Sequence, residues 1–359
     1  MKYLNALNKI NGVGPQKMRL LLRHFASPKH IWQATLEELQ ASRIGDKLAA
    51  KIIDEKKNID PNQEWAKLEK ENIRMITADS DEYPALLKEI PNPPYLLYVK
   101  GNYDFNSAPM IAIVGSRKFT AYGAQAATAF AKDLARAGIT VVSGLALGID
   151  AIAHRGALDG GGKTIAVLGN SLDDKNLYPK ANFNLSREIM DNGILLSEYP
   201  IETQAAEFTF PARNRLIAGL SLGTLVVEAG EKSGTLITSQ LALEFNREVF
   251  AVPGSIFSTQ SDGTNNLIKK GARTVTSVSD ILEELDLSSE KENKIQNIPK
   301  IPENQTEELL LKNLSSTPVH IDTLAKMTKL GTSSIASALT MMEIKGWIKN
   351  IGGQNYIIL

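Results

Sequence analysis

From residue 110 onward, short aliphatic and β-branched runs alternate with stretches of helical period. In order they are MIAIVGS, TAYGAQAATAFAKDLARAG, ITVVSG, GIDAIAHRGALDG, KTIAVLG, ANFNLSREIMDNG, ILLSEY, ARNRLIAGLS, GTLVVEA, TLITSQLALEFN and EVFAVPG. The strand candidates are apolar at successive positions instead of every second one, so both of their faces must be covered. Helical crossovers provide that cover, and the result is a parallel, doubly wound α/β sheet.

The flanks differ from this pattern. The first 36 residues hold six Lys or Arg and no Asp or Glu, and their helical period is broken at Gly12-Val13-Gly14-Pro15. Two glycines permit a tight turn, and proline suits the first turn of the next helix. Two readings compete for this segment. One is a helix-hairpin-helix that offers backbone N–H groups to a phosphate, and the other is a small helical bundle whose turn merely needs glycine. Amphipathic helices continue to about residue 90, and IPNPPYLLYVKG reads as a proline-rich entry to a new domain. After residue 285, LSSEKENKIQNIPKIPENQ reads as a linker. The tail runs helix TEELLLKNL, helix IDTLAKMT, helix SSIASALTMMEIKG, then two strands joined by Gly352-Gly353, the order of a winged helix. The predicted plan is α/β. A helical N-terminal domain (helix-hairpin-helix, SAM-like) spans 1–98 and an extended Rossmann-like central domain spans 99–286. A linker over 287–303 leads to a winged helix over 304–359.

The 359 residues are 43% apolar and 22% charged, ordinary for a globular chain. No apolar run approaches the roughly 18 residues of a membrane span, and MKYLNALNKINGVG has no signal-peptide core, so a cytoplasmic location is expected. With no cysteine and four scattered histidines, metal chemistry lacks support, and no cofactor is expected. Lys and Arg outnumber Asp and Glu 16 to 13 in residues 1–100 (+3), trail them 16 to 19 in 101–285 (−3) and match them beyond. Anion binding must therefore be local.

Open α/β sheets bind ligands beyond the carboxyl ends of their strands. There the sequence places Gly115-Ser116-Arg117, Ser143-Gly144, Gly169-Asn170-Ser171 and Ala229-Gly230-Glu231-Lys232-Ser233-Gly234-Thr235. Small residues let a backbone approach an anion, and the helix N-termini that follow supply donors. The first turn is not G-x-G-x-x-G, and the second strand ends in Ser143-Gly144 without a ribose-binding acid, which disfavours NAD. Arg117 can fork onto a phosphate; the competing role is a surface arginine on a carboxylate. Phe208-Thr209-Phe210-Pro211-Ala212-Arg213-Asn214-Arg215 sets two phenylalanines and two arginines within eight residues, the combination of base stacking and phosphate holding used by single-strand binders. One phenylalanine could instead be core, and one arginine could pair with Glu228 or Glu198. Asp150 and His154 sit at i and i+4; without an evident nucleophile, a structural helix-to-loop bond is the favoured reading.

These motifs in order, from IAIVGSRKFTAYG and VVSGLALGIDAIAHRGAL through TIAVLGNSLDDKNLYPKAN, LLSEYP and FPARNRLIAGLS to LVVEAGEKSGTLITSQLALEFNREVFAVPGSIFSTQSDGTNNLIKKGA, resemble the DNA-processing protein A (DprA/Smf) family over about 175 residues. The resemblance implies a non-catalytic protein that binds and shields incoming single-stranded DNA and helps load the RecA recombinase during natural transformation. It implies a homodimer paired through the central domain. It also implies DNA contacts at Ser116, Arg117, Lys180, Phe210, Arg213, Asn214, Ser233, Gly234 and Thr235. The winged helix has an ambiguous role, because SSIASALTMMEIKG carries a single lysine.

Two other functions compete. Lysine-decarboxylase-like phosphoribohydrolases share a similar strand, Gly-rich turn and helix, but their PGGxGTxxE glutamate falls here on Thr238. A duplex-DNA regulator built on the winged helix would need that tail to bind DNA, and residues 286–359 are neutral overall.

Overall fold

The computed structural model describes residues 1–287, 302, 304–315, 319–345, 347–350 and 352–358. The linker expected at 287–303 lies outside the described residues, apart from 287 and 302.

Nine strands form one sheet: β1 (Arg74–Thr77), β2 (Leu96–Gly101), β3 (Met110–Val114), β4 (Thr140–Ser143), β5 (Thr164–Val167), β6 (Gly193–Ser197), β7 (Gly223–Val226), β8 (Glu248–Ala251) and β9 (Arg273–Thr274). Their spatial order is β1-β2-β6-β5-β4-β3-β7-β8-β9. From β6 to β9 every neighbouring pair is parallel, whereas β1 and β2 are joined on antiparallel. Succession runs outward one way through β4, β5 and β6 and then the other way through β7, β8 and β9. The order therefore reverses between β3 and β7, the place where such sheets open a crevice.

Helix α1 (Lys2–Asn8), α2 (Pro15–His24), α3 (Pro28–Gln33), α4 (Leu36–Ala41), α5 (Asp46–Glu55) and α6 (Pro61–Lys70) precede the sheet. Gly12, at φ +104°, turns α1 into α2, and Pro15 opens α2 as its sequence suggests. Gly45, at φ +96°, makes a second turn of the same kind between α4 and α5. Leu7, Met18, Leu21 and Ile52 share one apolar cluster with Tyr98 of β2 and Leu195 of β6. Residues 1–288 are thus a single compact unit, and β2 crosses the position between 98 and 99 where the sequence puts a boundary.

Crossovers follow the sheet: α7 (Ala85–Lys88), α8 (Ala121–Arg136), α9 (Ile149–Asp159), α10 (Phe183–Asn192), α11 (Thr209–Leu220), α12 (Thr235–Glu244), α13 (Asp262–Lys269) and α14 (Val278–Glu284). All five residues of β3 are buried. Ile111 and Ile113 pack with Phe130 and Leu134 of α8 and Ala153 of α9, while Ala112 and Val114 pack with Leu216 and Ile217 of α11. Alternate side chains point to opposite faces of a strand, which is why the sequence had to be apolar at every position.

The second unit holds α15 (Gln305–Asn313), β10 (Val319–His320), α16 (Ile321–Thr328), α17 (Thr332–Ile344), β11 (Ile348–Asn350) and β12 (Asn355–Ile358). Its sheet has the order β10-β12-β11, and Leu310, Leu324, Ile335, Leu339 and Met342 fill its core, a winged helix. No helix among the described residues is long and apolar enough to cross a membrane.

Candidate functional site

A cleft of about 500 Å³ opens at the carboxyl ends of β3 and β7. The loop Gly115–Lys118 forms one wall, the start of α11 at Phe210–Asn214 another, and the turn Gly230–Thr235 before α12 a third. Eight of the nine residues that the sequence nominates line it: Ser116, Arg117, Phe210, Arg213, Asn214, Ser233, Gly234 and Thr235. Lys180 does not.

The first loop is braced from within. Ser116 N donates to the Glu228 carbonyl oxygen (2.8 Å), and Ser116 Oγ donates to Gln260 Oε1 (2.9 Å) while accepting from Lys118 N (3.0 Å). Glu228, only 2% exposed, accepts from Thr120 N and Oγ1, and Thr120 in turn caps α8 by accepting from Gly123 N (3.1 Å). Gly148 lies at φ +91°, and a Cβ there would stand 2.5 Å from the Ser116 carbonyl oxygen, so the β4–α9 loop runs hard against the first loop. The Ser116 hydroxyl is consumed by this bracing. Arg117 and Lys118 project from it, both exposed.

Arg117 places its guanidinium carbon 5.7 Å from the Phe210 ring centre, and Tyr178 lies 5.8 Å from Phe210 on a tilted ring. Among the described residues no carboxylate ion-pairs with Arg117. The row Arg117, Phe210, Tyr178 combines a free fork with two aromatic surfaces.

The other arginines of the FPARNR segment are engaged. Arg213 is buried; its Nη1 donates to the carbonyls of Gly144 (2.6 Å) and Val167, and its Nε donates to Asn214 Oδ1 (3.1 Å). Burial pulls its pKa down to about 10, and the Asp150 carboxylate opposes that fall. Where the sequence pattern suggests a second phosphate-holding fork, the structure shows a guanidinium tying the ends of β4 and β5 to α11. Arg215 pairs with Glu198, the structural alternative weighed for this segment.

At the third wall Thr235 N donates to Ser233 Oγ (3.3 Å) and Ser233 Oγ donates to Thr235 Oγ1 (3.0 Å), shaping the turn that begins α12. A Cβ on Gly234 would meet open space, so the turn exposes backbone to the cleft. Lys232 joins it, fully on the surface. Lys180 instead donates to the carbonyls of Asp174 and Lys175 (2.8 Å each) in the turn after Tyr178-Pro179. Its neighbours Tyr178 and Pro179 reach a small pocket shared with Arg117, Phe210 and Arg213.

Asp150 and His154 act separately: Asp150 Oδ2 accepts from Gly144 N (3.1 Å), and His154 Nε2 accepts from Leu145 N (3.3 Å). His154 Nδ1 also bonds Thr164 Oγ1 (2.7 Å), and burial lowers its pKa to about 3. The pair is structural. Sequence reasoning singled out neither Lys118, Lys232 nor Tyr178, although each adjoins a nominated motif, and nothing local marks Gln260.

Residues 74–286 match the family model of DNA recombination-mediator protein A, 298–354 the DprA winged helix domain, and 4–58 a SAM-like helix-hairpin-helix tandem. Protein Smf of Synechocystis sp. is 35% identical over 99% of this chain and 98% of its own length. The chain belongs to the DNA processing protein A family. Within that family, the DprA of Streptococcus pneumoniae is 48% identical over 57% of this chain and 72% of its own. An X-ray structure of the pneumococcal DprA matches with a TM-score of 0.69 at 38% identity, covering 79% of this chain and 98% of that one. The DNA processing protein A of Helicobacter pylori, studied for its single-stranded DNA binding mode, matches with a TM-score of 0.53 at 34% identity over 59% of this chain and 95% of that one.

Proposed function

We propose that this protein binds single-stranded DNA in the cleft at the β3–β7 switch point. The observation that carries the reading is Arg117, which among the described residues has no carboxylate ion-pair partner and is set over Phe210. A guanidinium holds a phosphate while the phenyl face receives an unpaired base. The Ser233–Thr235 turn at the start of α12 adds backbone donors for a neighbouring phosphate. Asn214 borders the same path, and Lys180 lies on its Tyr178 flank. Ser116 and Arg213 serve by holding the loops in place. The Helicobacter pylori relative supports this choice of ligand.

In the same proposal the protein shields incoming DNA and loads the RecA recombinase during natural transformation, as a cytoplasmic homodimer paired through the central domain and without catalytic turnover. Family membership supports these roles.

The test is a fluorescence-anisotropy titration of wild type and Arg117→Ala with single-stranded and duplex oligonucleotides at two salt concentrations. Single-strand preference, a steep salt dependence and a loss in the variant are expected. Equal duplex affinity, or an indifferent variant, sinks the reading. For the wider role, RecA filament growth on single-stranded DNA is followed with and without the protein, and no acceleration refutes loading.

A further inference from the structure

Four exposed large apolar side chains lie on the two segments, 119–122 and 253–258, that border a second cavity: Phe119 (44% exposed), Tyr122 (49%), Ile256 (79%) and Phe257 (92%). Single exposed apolar residues are ordinary, but three aromatics on two adjoining loops are not. Tyr122 Oη donates to the Pro253 carbonyl oxygen (2.8 Å), which ties the two loops together. Phe257 N donates to Ser255 Oγ (3.2 Å) and Ser258 N to the Ser255 carbonyl oxygen (3.1 Å), a turn with Phe257 at its outer edge. Between the loops lies a second cavity, of about 520 Å³, bordered by Thr120, Tyr122, Ser255, Ser258 and Ser261.

This cavity shares a wall with the cleft. Ser116, Lys118 and Gln260 face the cleft, whereas Thr120, Ser258 and Ser261 face the cavity. The bond from Ser116 Oγ to Gln260 Oε1 joins the two loops that divide them. A strand leaving the cleft over Arg117 and Lys118 therefore descends into the second cavity. Tyr122 lines it, and the exposed Phe119 and Phe257 adjoin its lining residues Thr120 and Ser258 in the chain; such rings match the faces of unpaired bases, and the cavity's hydroxyls match their edges. Glu228, at its back, is buried and hydrogen-bonded by Thr120 N and Oγ1.

We propose that Phe119, Tyr122 and Phe257 form a second nucleobase subsite that takes the next nucleotides of the same single strand, an inference that rests on the cleft being its DNA site. Binding then depends on strand length in a way the cleft alone does not produce.

The experiment titrates wild type, Arg117→Ala and a Phe119→Ala/Phe257→Ala double variant with oligothymidylates of about 6 and about 20 nucleotides. The double variant is expected to lose roughly tenfold or more in affinity for the longer strand and nothing for the shorter, as stacking energies predict. Arg117→Ala is expected to weaken both. In Phe257→Trp, indole fluorescence should be quenched by the longer oligonucleotide only. An aromatic variant that binds both lengths like wild type, with Arg117→Ala still impaired, overturns the subsite and leaves the cleft reading intact. So does a Phe257 effect confined to self-association in sedimentation, which would make the corner a protein contact. An unimpaired Arg117→Ala overturns the cleft reading, and the subsite falls with it.

Discussion

Arg213 Nη1 donates a 2.6 Å hydrogen bond to the carbonyl oxygen of Gly144, so the side chain of a residue that is 4% exposed fastens the residue after β4 to the second turn of α11. The same nitrogen also reaches Val167, the last residue of β5, and Asp150 lies close enough to favour the charged form. Removing one member of a buried, bonded charge set leaves the others desolvated without compensation. Arg213→Ala is expected to lower stability by about 3 kcal/mol, and Arg213→Lys to recover only part, since an ammonium lacks the planar fork. Urea unfolding midpoints check this; an unchanged midpoint refutes the tie.

Arg117, exposed, and Phe210, half-buried, separate two contributions to binding. Phe210→Ala is expected to weaken single-strand binding by about 1–3 kcal/mol with little change in salt dependence, because stacking releases no counterions. Arg117→Gln should instead flatten the slope of log affinity against log salt by about one phosphate contact. Titrations across a salt series distinguish the two, and identical slopes for both variants contradict the assignment.

Acid should probe His154. Its folded pKa, about 3, lies below the ordinary 6.5, first through burial and then through the nearby Arg213 charge. A depressed base binds fewer protons folded than unfolded, so its contribution is complete above about pH 6.5 and drains away as pH falls toward 3. The full effect is on the order of 5 kcal/mol. Asp150, whose pKa burial raises, acts in the opposite sense at the acid end, so the isolating comparison is wild type against His154→Gln. Stability should fall more steeply between pH 6 and pH 4 in wild type, and parallel curves would falsify the assignment.

The parts of this structure readable in the sequence are those set by local chemistry. The apolar run Met110–Val114 has both faces covered because every position is apolar. Glycine and serine at the strand ends mark the crevice, and Arg117 stands out because it sits where a dinucleotide turn keeps small residues. The role of Arg213 was hidden, since its partners Gly144 and Val167 lie 69 and 46 residues away. Lys180 is tied locally instead: its Nζ donates to the carbonyls of Asp174 and Lys175, one short turn back. β1 and β2 do not stand out from the helical and proline-rich sequence around them, because RMIT and LLYVKG are short and gain their strand character by pairing with each other and with β6. The second glycine hairpin, at Arg43-Ile44-Gly45, has neither a second glycine nor a proline to mark it in the sequence.

Gly148 bears on the cleft through the first loop, against which it packs. Gly148 adopts φ +91°, and an added methyl would lie 2.5 Å from the Ser116 carbonyl oxygen and 2.7 Å from Arg117 Cα. Gly148→Ala therefore strains its own backbone and also pushes the first loop outward. A stability loss of about 1–3 kcal/mol is expected. Single-strand affinity should fall as well, because Arg117 would leave its position over Phe210. The discriminating measurement pairs an unfolding curve with a titration well below the melting temperature, where the variant is folded. If affinity there equals wild type, the packing of the β4–α9 loop does not set the aim of Arg117.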